Sequence, residues 1–430
     1  MVTGVPALTE ADLAAVDKLL APADAERLAN YPGDRTDRQP VHTVYVPADR
    51  FHRDLVAEWG AAAAAALAKH APTAEDMAAA TGFDPEHVRD VWAGVIDKLE
   101  REPIEDLRVD LEDGYGRRPD EEEDRHALAA GHVIAAAAAA KLAPPFMGIR
   151  FKSLEGGTRR RGLRSLDLVL GAVLSSGPLP DGWVVTLPKV TSVAQVGAMV
   201  EVCDRLERAY ELGDGSLRFE IQVETPQAIL QSDGTAGVAA MVRASAGRCT
   251  GLHFGTYDYT AGLGIAGGYQ AMDHPAADHA KAVMQLAAAG TGVRVSDGST
   301  NVLPVGDRED VHAAWALHAR LVRRSLERGF YQGWDLHPAQ LPTRYISTYA
   351  FFRTGLAEIG ARLDAYLHGA DSGSPAVGAV LDEPATAQAL AAFLLRGVHC
   401  GAVTEDEMTK LTGATLDTIS SLAARRTTQR

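Results

Sequence analysis

The stretches Arg218-Phe-Glu-Ile-Gln-Val-Glu224-Thr-Pro226 and Gly251-Leu-His-Phe-Gly255-Thr-Tyr-Asp258-Tyr decide how this chain is read. In the first, a short strand-like run delivers Glu224, and Thr-Pro stops the pairing immediately afterwards. In the second, a strand ends near Gly255 and Asp258 lies in the loop beyond. The two acids are 34 residues apart, about the length of one βαβ unit. On adjacent parallel strands both carboxylates would face the same rim. Two hard oxygen ligands there suit a magnesium-like ion that keeps positions open for substrate oxygens.

Six further runs flank this pair and read as strands. They are Val41-His-Thr-Val-Tyr-Val-Pro47, Leu107-Arg-Val-Asp110-Leu-Glu112-Asp113, Phe146-Met-Gly-Ile-Arg150-Phe, Trp183-Val-Val-Thr-Leu-Pro188-Lys189, Val293-Arg-Val-Ser-Asp297 and Phe330-Tyr-Gln-Gly333-Trp-Asp-Leu-His337. Eight strands alternating with helical segments predict an α/β fold, a (β/α)8 TIM barrel over residues 41–343. The polar residues singled out fall almost entirely at strand ends, the face on which such barrels do chemistry. A helical insertion over 71–104 follows the first strand. Thr73-Ala-Glu-Asp76 and Asp84-Pro85 mark its helix starts, and its role as lid, oligomer contact or decoration is open. Residues 1–40 read as an N-terminal helical segment with Thr9-Glu-Ala-Asp12 as a capping box. Residues 344–430 read as a C-terminal helical extension.

The 430 residues are 46% hydrophobic and 23% charged, an ordinary globular composition, with a net charge of −15. That balance argues against nucleic acid or an anionic membrane as partner, because phosphate binding needs a basic face. Three widely spaced cysteines, Cys203, Cys249 and Cys400, make no disulfide framework and fit a reducing cytoplasm. No signal peptide or membrane span is expected. Gly262-Leu-Gly264-Ile-Ala-Gly267 matches a dinucleotide fingerprint by spelling only, since the strand–glycine–helix order is missing.

Val223-Glu224-Thr225-Pro226-Gln-Ala228, followed by Phe254-Gly-Thr-Tyr-Asp258-Tyr-Thr-Ala261-Gly-Leu-Gly264, resembles the citrate lyase β-subunit-like branch of the HpcH/HpaI aldolase superfamily. Val-Asp110-Leu-Glu-Asp113, Ile-Arg150, Leu-Pro-Lys189-Val and Gly333-Trp-Asp-Leu-His337-Pro-Ala-Gln340 extend the likeness over roughly residues 41–390. The resemblance implies that Glu224 and Asp258 hold Mg2+ (or Mn2+). It implies that Arg150 grips a substrate carboxylate, with Pro226, Gly255 and Thr256 also at the substrate. Glu112, Asp113 and Lys189 would stand at the same site. Asp382, in Val380-Leu-Asp382-Glu383-Pro384, resembles an acidic residue that the family carries near its C terminus.

Arginine's planar fork matches a carboxylate at two points and is costly to bury without an anion, so Arg150 is the expected carboxylate anchor, the expected partner of a strand-two acid, or both. The loop Arg159-Arg160-Arg161-Gly162-Leu-Arg164 concentrates positive charge, read either as a phosphate or coenzyme A contact or as solvated surface. The resulting expectation is a divalent-metal-dependent carbon–carbon lyase or aldolase on a small 2-oxo or hydroxy acid. The alternatives are an acyl-CoA lyase, synthase or thioesterase of the malyl-CoA or citramalyl-CoA type, or a catalytically silent barrel acting as binding or scaffold protein. The proton carrier is left open among a metal-bound water, Asp382 and a strand-two acid. The resemblance and the detached tail imply a homo-oligomer.

Overall fold

The computed structural model describes residues 7–368, 376–377, 380–381 and 383–424. Eight strands run through it: β1 (His42–Pro47), β2 (Asp106–Asp110), β3 (Phe146–Arg150), β4 (Trp183–Leu187), β5 (Phe219–Val223), β6 (Cys249–Phe254), β7 (Arg294–Ser296) and β8 (Gly333–Asp335). All neighbouring pairs are parallel, in the order β7-β6-β5-β4-β3-β2-β1-β8. Two backbone hydrogen bonds, Asp297 N to Gln332 O (2.8 Å) and Trp334 N to Gly298 O (3.2 Å), span the remaining seam between β7 and β8. The chain is the expected (β/α)8 barrel.

Alternation along each strand divides the side chains into two populations. On β5, Phe219, Ile221 and Val223 point outward into the main apolar core beneath the helices. Glu220, Gln222 and Glu224 take the opposite face. On β2, Leu107 and Val109 pack outward, whereas Asp106, Arg108 and Asp110 are buried on the inner side. The interior of this barrel is therefore ionic. Arg108 pairs with Asp106 and with Glu220 (2.9 Å), and His253 reaches the same Glu220 at 3.0 Å.

Three helices, Leu55–His70, Ala74–Thr81 and Pro85–Arg101, separate β1 from β2. Thr73 and Asp84 cap the second and third, with Pro85 at the first helical position. Val88, Val91, Val95 and Leu99 form one buried stripe along Pro85–Arg101. The stripe packs with Tyr345 and Tyr349 of the helix Leu341–Arg353 in a second apolar core. Burying four such side chains contributes on the order of 6–12 kcal/mol, which fixes these helices against the rest of the chain. At the N terminus, Glu10–Asn30 begins with the expected Thr9/Asp12 capping box, yet buries none of its residues. The C-terminal helices Leu356–His368, Pro384–Cys400, Glu405–Thr412 and Leu416–Ala424 make a third apolar core of their own. Among the described residues no helix is long and apolar enough to cross a membrane, and the three cysteines are buried free thiols.

Candidate functional site

The carboxyl ends of β2 to β6 converge on one cluster. β5 stops just before Glu224, because Thr225 caps, and Pro226 opens, the short helix Pro226–Ile229. The Thr225 hydroxyl also donates to Val190 O (2.6 Å), tying the loop after β4 to the loop after β5. After β6, Gly255 precedes the helix Thr256–Gly262, whose first turn carries Asp258. A Cβ on Gly255 would stand 2.4 Å from Glu224 Cβ and 2.6 Å from its Oε2, so only glycine lets the two loops approach this closely.

Lys189 joins the pieces. Its φ of +51° is left-handed, a conformation that costs an L-residue about 1–2 kcal/mol. That turn aims its backbone N–H at Glu224 Oε1 (2.8 Å) and its ammonium at Asp113 Oδ2 (2.6 Å) and Asp258 Oδ2 (2.7 Å). Glu112 Oε1 lies 3.5 Å from the same ammonium. Glu224, Asp258, Glu112, Asp113 and Lys189 are thus brought together. Thr256 is buried at the start of the Asp258 helix with its hydroxyl oxygen unpartnered, and Pro226 is half-buried beside Gly262.

Arg150 sits in the same mouth, but its fork is spent. Nε and Nη2 both donate to Asp110, at 2.7 Å each, in the register that sets Asp110 opposite Arg150. Asp110 accepts two more bonds, from Glu112 N (3.0 Å) and Gly114 N (2.8 Å), which satisfies its four lone pairs. Both points of the Arg150 fork are thus taken by Asp110, the ion pair with a strand-two acid that is one of its two expected roles. Only Nη1 remains lightly engaged, 3.4 Å from Gln222 Oε1 and 3.8 Å from Glu112 Oε2. The guanidinium lies over the Tyr45 ring at 4.5 Å.

Gln222 escaped the sequence reading. Its amide contacts both Arg150 and the Glu224 carboxylate, linking anchor to acid. The period-2 series Glu220, Gln222, Glu224 was the available signal. Asp382 lies outside the described residues. His337 accepts from Ala339 N (3.2 Å) and caps the turn Pro338–Gln340, a structural role. Asp297, at the end of β7, is taken up by Lys281 (2.9 Å) and Ser325 (2.6 Å). The run Arg159–Arg164 is not a loop: it opens the helix Arg159–Leu174, where Arg161 and Arg164 pair with Asp124 and Arg159 donates to Leu154 O (2.9 Å), so these three are engaged within the chain. Arg159 also lines a cavity of about 470 Å3 with Glu155, Thr191 and Gln195.

Charge is unevenly shared. Asp110 is neutralised by Arg150, which leaves Glu112, Asp113, Glu224 and Asp258 against one ammonium. Burial raises the Glu224 carboxyl to about 8, and the Asp258 charge adds to the rise against Lys189. Burial likewise raises Glu112 to about 7. For Asp113 burial is outweighed by the hydrogen bond and charge of Lys189, and its carboxyl is held below the usual range. All the donors are carboxylate oxygens, which fit a hard dication such as Mg2+ or Mn2+ rather than a softer metal. Among the described residues no three His, Cys, Asp or Glu side chains converge as ligands. Two protein carboxylates would then be completed by water and substrate oxygens.

The family described as "Domain of unknown function (DUF6986)" matches residues 20–427, and the chain belongs to it. No curated protein matches. Among solved structures, a citrate lyase from Burkholderia xenovorans LB400 is similar with a TM-score of 0.58 at 16% identity, over 87% of this chain and 97% of that one. A Haloferax volcanii malate synthase magnesium/glyoxylate complex gives 0.48 at 15% identity, over 91% and 99%. The citrate lyase β subunit of M. tuberculosis, complexed with oxaloacetate and magnesium, gives 0.42 at 18%, over 71% and 96%. At these identities the first supports the barrel fold; the other two are too distant in shape to add to it.

Proposed function

We propose that this chain is a divalent-metal-dependent carbon–carbon lyase or aldolase acting on a small 2-oxo or hydroxy acid, within the HpcH/HpaI-like group. The observation that carries the reading is the imbalance at the barrel mouth, four carboxylates around one ammonium after Asp110 and Arg150 have cancelled. The shared barrel of a citrate lyase supports it as a likeness of fold. Glu224 and Asp258 would hold the ion. When bound, it would supply a positive charge against the negative charge that develops on an oxo oxygen as the carbon–carbon bond breaks.

The chain's own residues do the rest. Lys189 fixes Glu224 through its backbone and holds Asp113 and Asp258 through its side chain. Arg150 braces the strand-two loop through Asp110 and offers Nη1 to one oxygen of a substrate carboxylate. Gln222 holds the Glu224 carboxylate from below. Glu112, nearly buried and with its carboxyl near 7, is suited to carry a proton at neutral pH. The exposed apolar residues Leu13, Val16, Leu19 and Leu20 of the first helix favour self-association, which light scattering would check.

Calorimetric titration of Mg2+ and Mn2+ into the wild type, with Glu224→Gln and Asp258→Asn as controls, tests the site. A screen of oxoacids and hydroxyacids with and without acyl-CoA tests the reaction. Saturable binding lost in both variants, with metal-dependent cleavage or condensation, is the expected result. Equal heats in wild type and variants would overturn the metal site; binding without turnover of any oxoacid would leave a scaffold.

A further inference from the structure

The opposite, amino-terminal face of the barrel carries a second cavity, of about 510 Å3, between the start of β7, the segment leading into β1 and the helix Pro384–Cys400. That volume suits a small ligand. Its lining is cationic in an acidic protein: Arg35, Arg294, Arg396 and His399 face two carboxylates, Asp34 and Asp37. Asp37 is shared: Arg35 grips it at two points, from Nε (2.8 Å) and Nη2, and Arg294 donates to it from Nη2 (2.8 Å). Asp34 accepts from Gly290 N at 3.1 Å.

Among the described residues Arg396 has no acidic partner. Its guanidinium lies over the Tyr331 ring at 4.3 Å, and its one hydrogen bond is to Ala392 O at 3.3 Å. Arg294 is mostly buried, with 14% of its side chain exposed. Burial, then crowding by Arg35 and Arg396 against the pull of Asp37, brings its guanidinium down to about 10. Burial and the neighbouring guanidiniums of Arg38, Arg294 and Arg396 likewise lower His399. A guanidinium presents parallel N–H donors matched to carboxylate and phosphate oxygens. Arg396 repels the mostly buried Arg294, and like charges held together in a hollow are costly unless an anion stands between them.

We infer that this cavity is a binding site for a small dianion, a phosphate ester or a dicarboxylate, held by Arg294 and Arg396. The ligand bridges the barrel, through Arg294, to the C-terminal helices, through Arg396. The site lies at the far end of the strands from Glu224, and stands or falls independently of the metal site.

Calorimetry and thermal shift with inorganic phosphate and with succinate, at matched ionic strength with chloride as the blank, test it and distinguish the two ligand classes. Saturable binding of one or both, with a rise in melting temperature, is expected. Arg396→Gln removes a charge that pairs with no acid among the described residues, so the unliganded protein should melt as the wild type does. Its affinity should fall about tenfold or more, the equivalent of one charge-assisted hydrogen bond. Arg294→Gln, which leaves Asp37 paired with Arg35, should do the same. Arg218→Gln, on the same barrel face but outside this cavity, should bind as the wild type. No saturable binding of either anion by the wild type overturns the inference. So does binding unchanged in both Arg396→Gln and Arg294→Gln, since the anion then sits elsewhere.

Discussion

Gly255→Ala tests how the acid cluster is assembled, without touching a charged group. Gly255 has φ −97° and ψ 93°, which alanine adopts freely, so the substitution carries no backbone strain. The added methyl would nevertheless stand 2.4 Å from Glu224 Cβ and 2.6 Å from Oε2. An ordinary contact needs about 1 Å more at each, and Gly255 cannot retreat easily because its N–H donates to Val223 O at 2.9 Å. Glu224 must yield. Overpacking of this kind costs about 1–3 kcal/mol of stability. The effect on cation binding is larger in kind, because ligand distances tolerate only about 0.2 Å. Misplacing ligands through neighbouring residues typically weakens metal binding by about 10–100-fold. Calorimetric titration with Mn2+ should therefore show at least a tenfold loss in a variant whose denaturation curve remains cooperative. Gly262→Ala is the matched control, since its new methyl would meet Pro226 Cδ at 3.1 Å, a contact that gives by a few tenths of an ångström. A folded Gly255→Ala protein that binds Mn2+ as tightly as the wild type would refute the assignment of Glu224 as a ligand.

Lys189→Met removes the ammonium that competes with a dication for Asp258, and at a few ångströms one unit charge is worth about 1–4 kcal/mol. Mn2+ affinity should rise at least fivefold while turnover falls; weaker Mn2+ binding would show that Lys189 orders the ligands more than it competes with the ion. Asp335 is buried and accepts from His42 (2.7 Å), His318 (3.1 Å) and Arg344 (2.9 Å). Asp335→Asn leaves Arg344 buried without its counter-charge and should cost about 3–5 kcal/mol in urea denaturation; a loss under about 1 kcal/mol would contradict the hub role. Glu207 is buried, which alone would raise its carboxyl, yet Arg248 and the N–H groups of Leu217 and Gly215 hold it at about 2 against an ordinary 4.5. A folded value below the unfolded one gives stability that is complete above about pH 4.5 and lost as the pH falls toward 2, about 3 kcal/mol at the limit. Denaturation at pH 6 and pH 3 should show a smaller acid loss in Glu207→Gln than in the wild type; an identical loss would refute the linkage.

The barrel was legible because its strands are short, buried on their outer faces and punctuated by proline or glycine. Val-Tyr-Val-Pro47 and Val-Glu224-Thr-Pro226 mark strand ends whatever the loops do. The first helix was legible too, through its capping box, although its apolar residues find no core within the described chain. The site was legible as a set of residues and opaque as a set of partners. Arg150 could have met either a substrate or an acid. The choice turns on the β2–β3 register, which puts Asp110 directly opposite it. Lys189 gave no sign of its left-handed turn, because nothing in a Leu-Pro-Lys-Val spelling distinguishes a lysine with positive φ. Arg161 and Arg164 looked like a free basic patch until the fold set them against Asp124, 37 and 40 residues away.

The same partnerships explain why the proposed cation is assigned to the mouth of the barrel rather than to its interior. Lower in the barrel each buried charge has partners within the layer: Arg108 lies between Asp106 and Glu220, and His253 reaches Glu220 as well. One level up, Arg150 and Asp110 cancel at two points. Buried pairs of this kind add little net stability, but removing one partner is expensive, so they fix the positions of the strand ends. At the rim the balance stops. Glu112, Asp113, Glu224 and Asp258 have one lysine among them, held in a conformation it would not adopt alone. A rim where four carboxylates share one lysine is where an added cation would gain most, and that is the basis for placing the proposed ion there. If Glu112→Gln and Glu224→Gln each stabilised the metal-free protein and each weakened Mn2+ binding, stability and affinity would be shown to draw on the same unbalanced charge. A destabilised Glu224→Gln protein would instead make that carboxylate a structural brace.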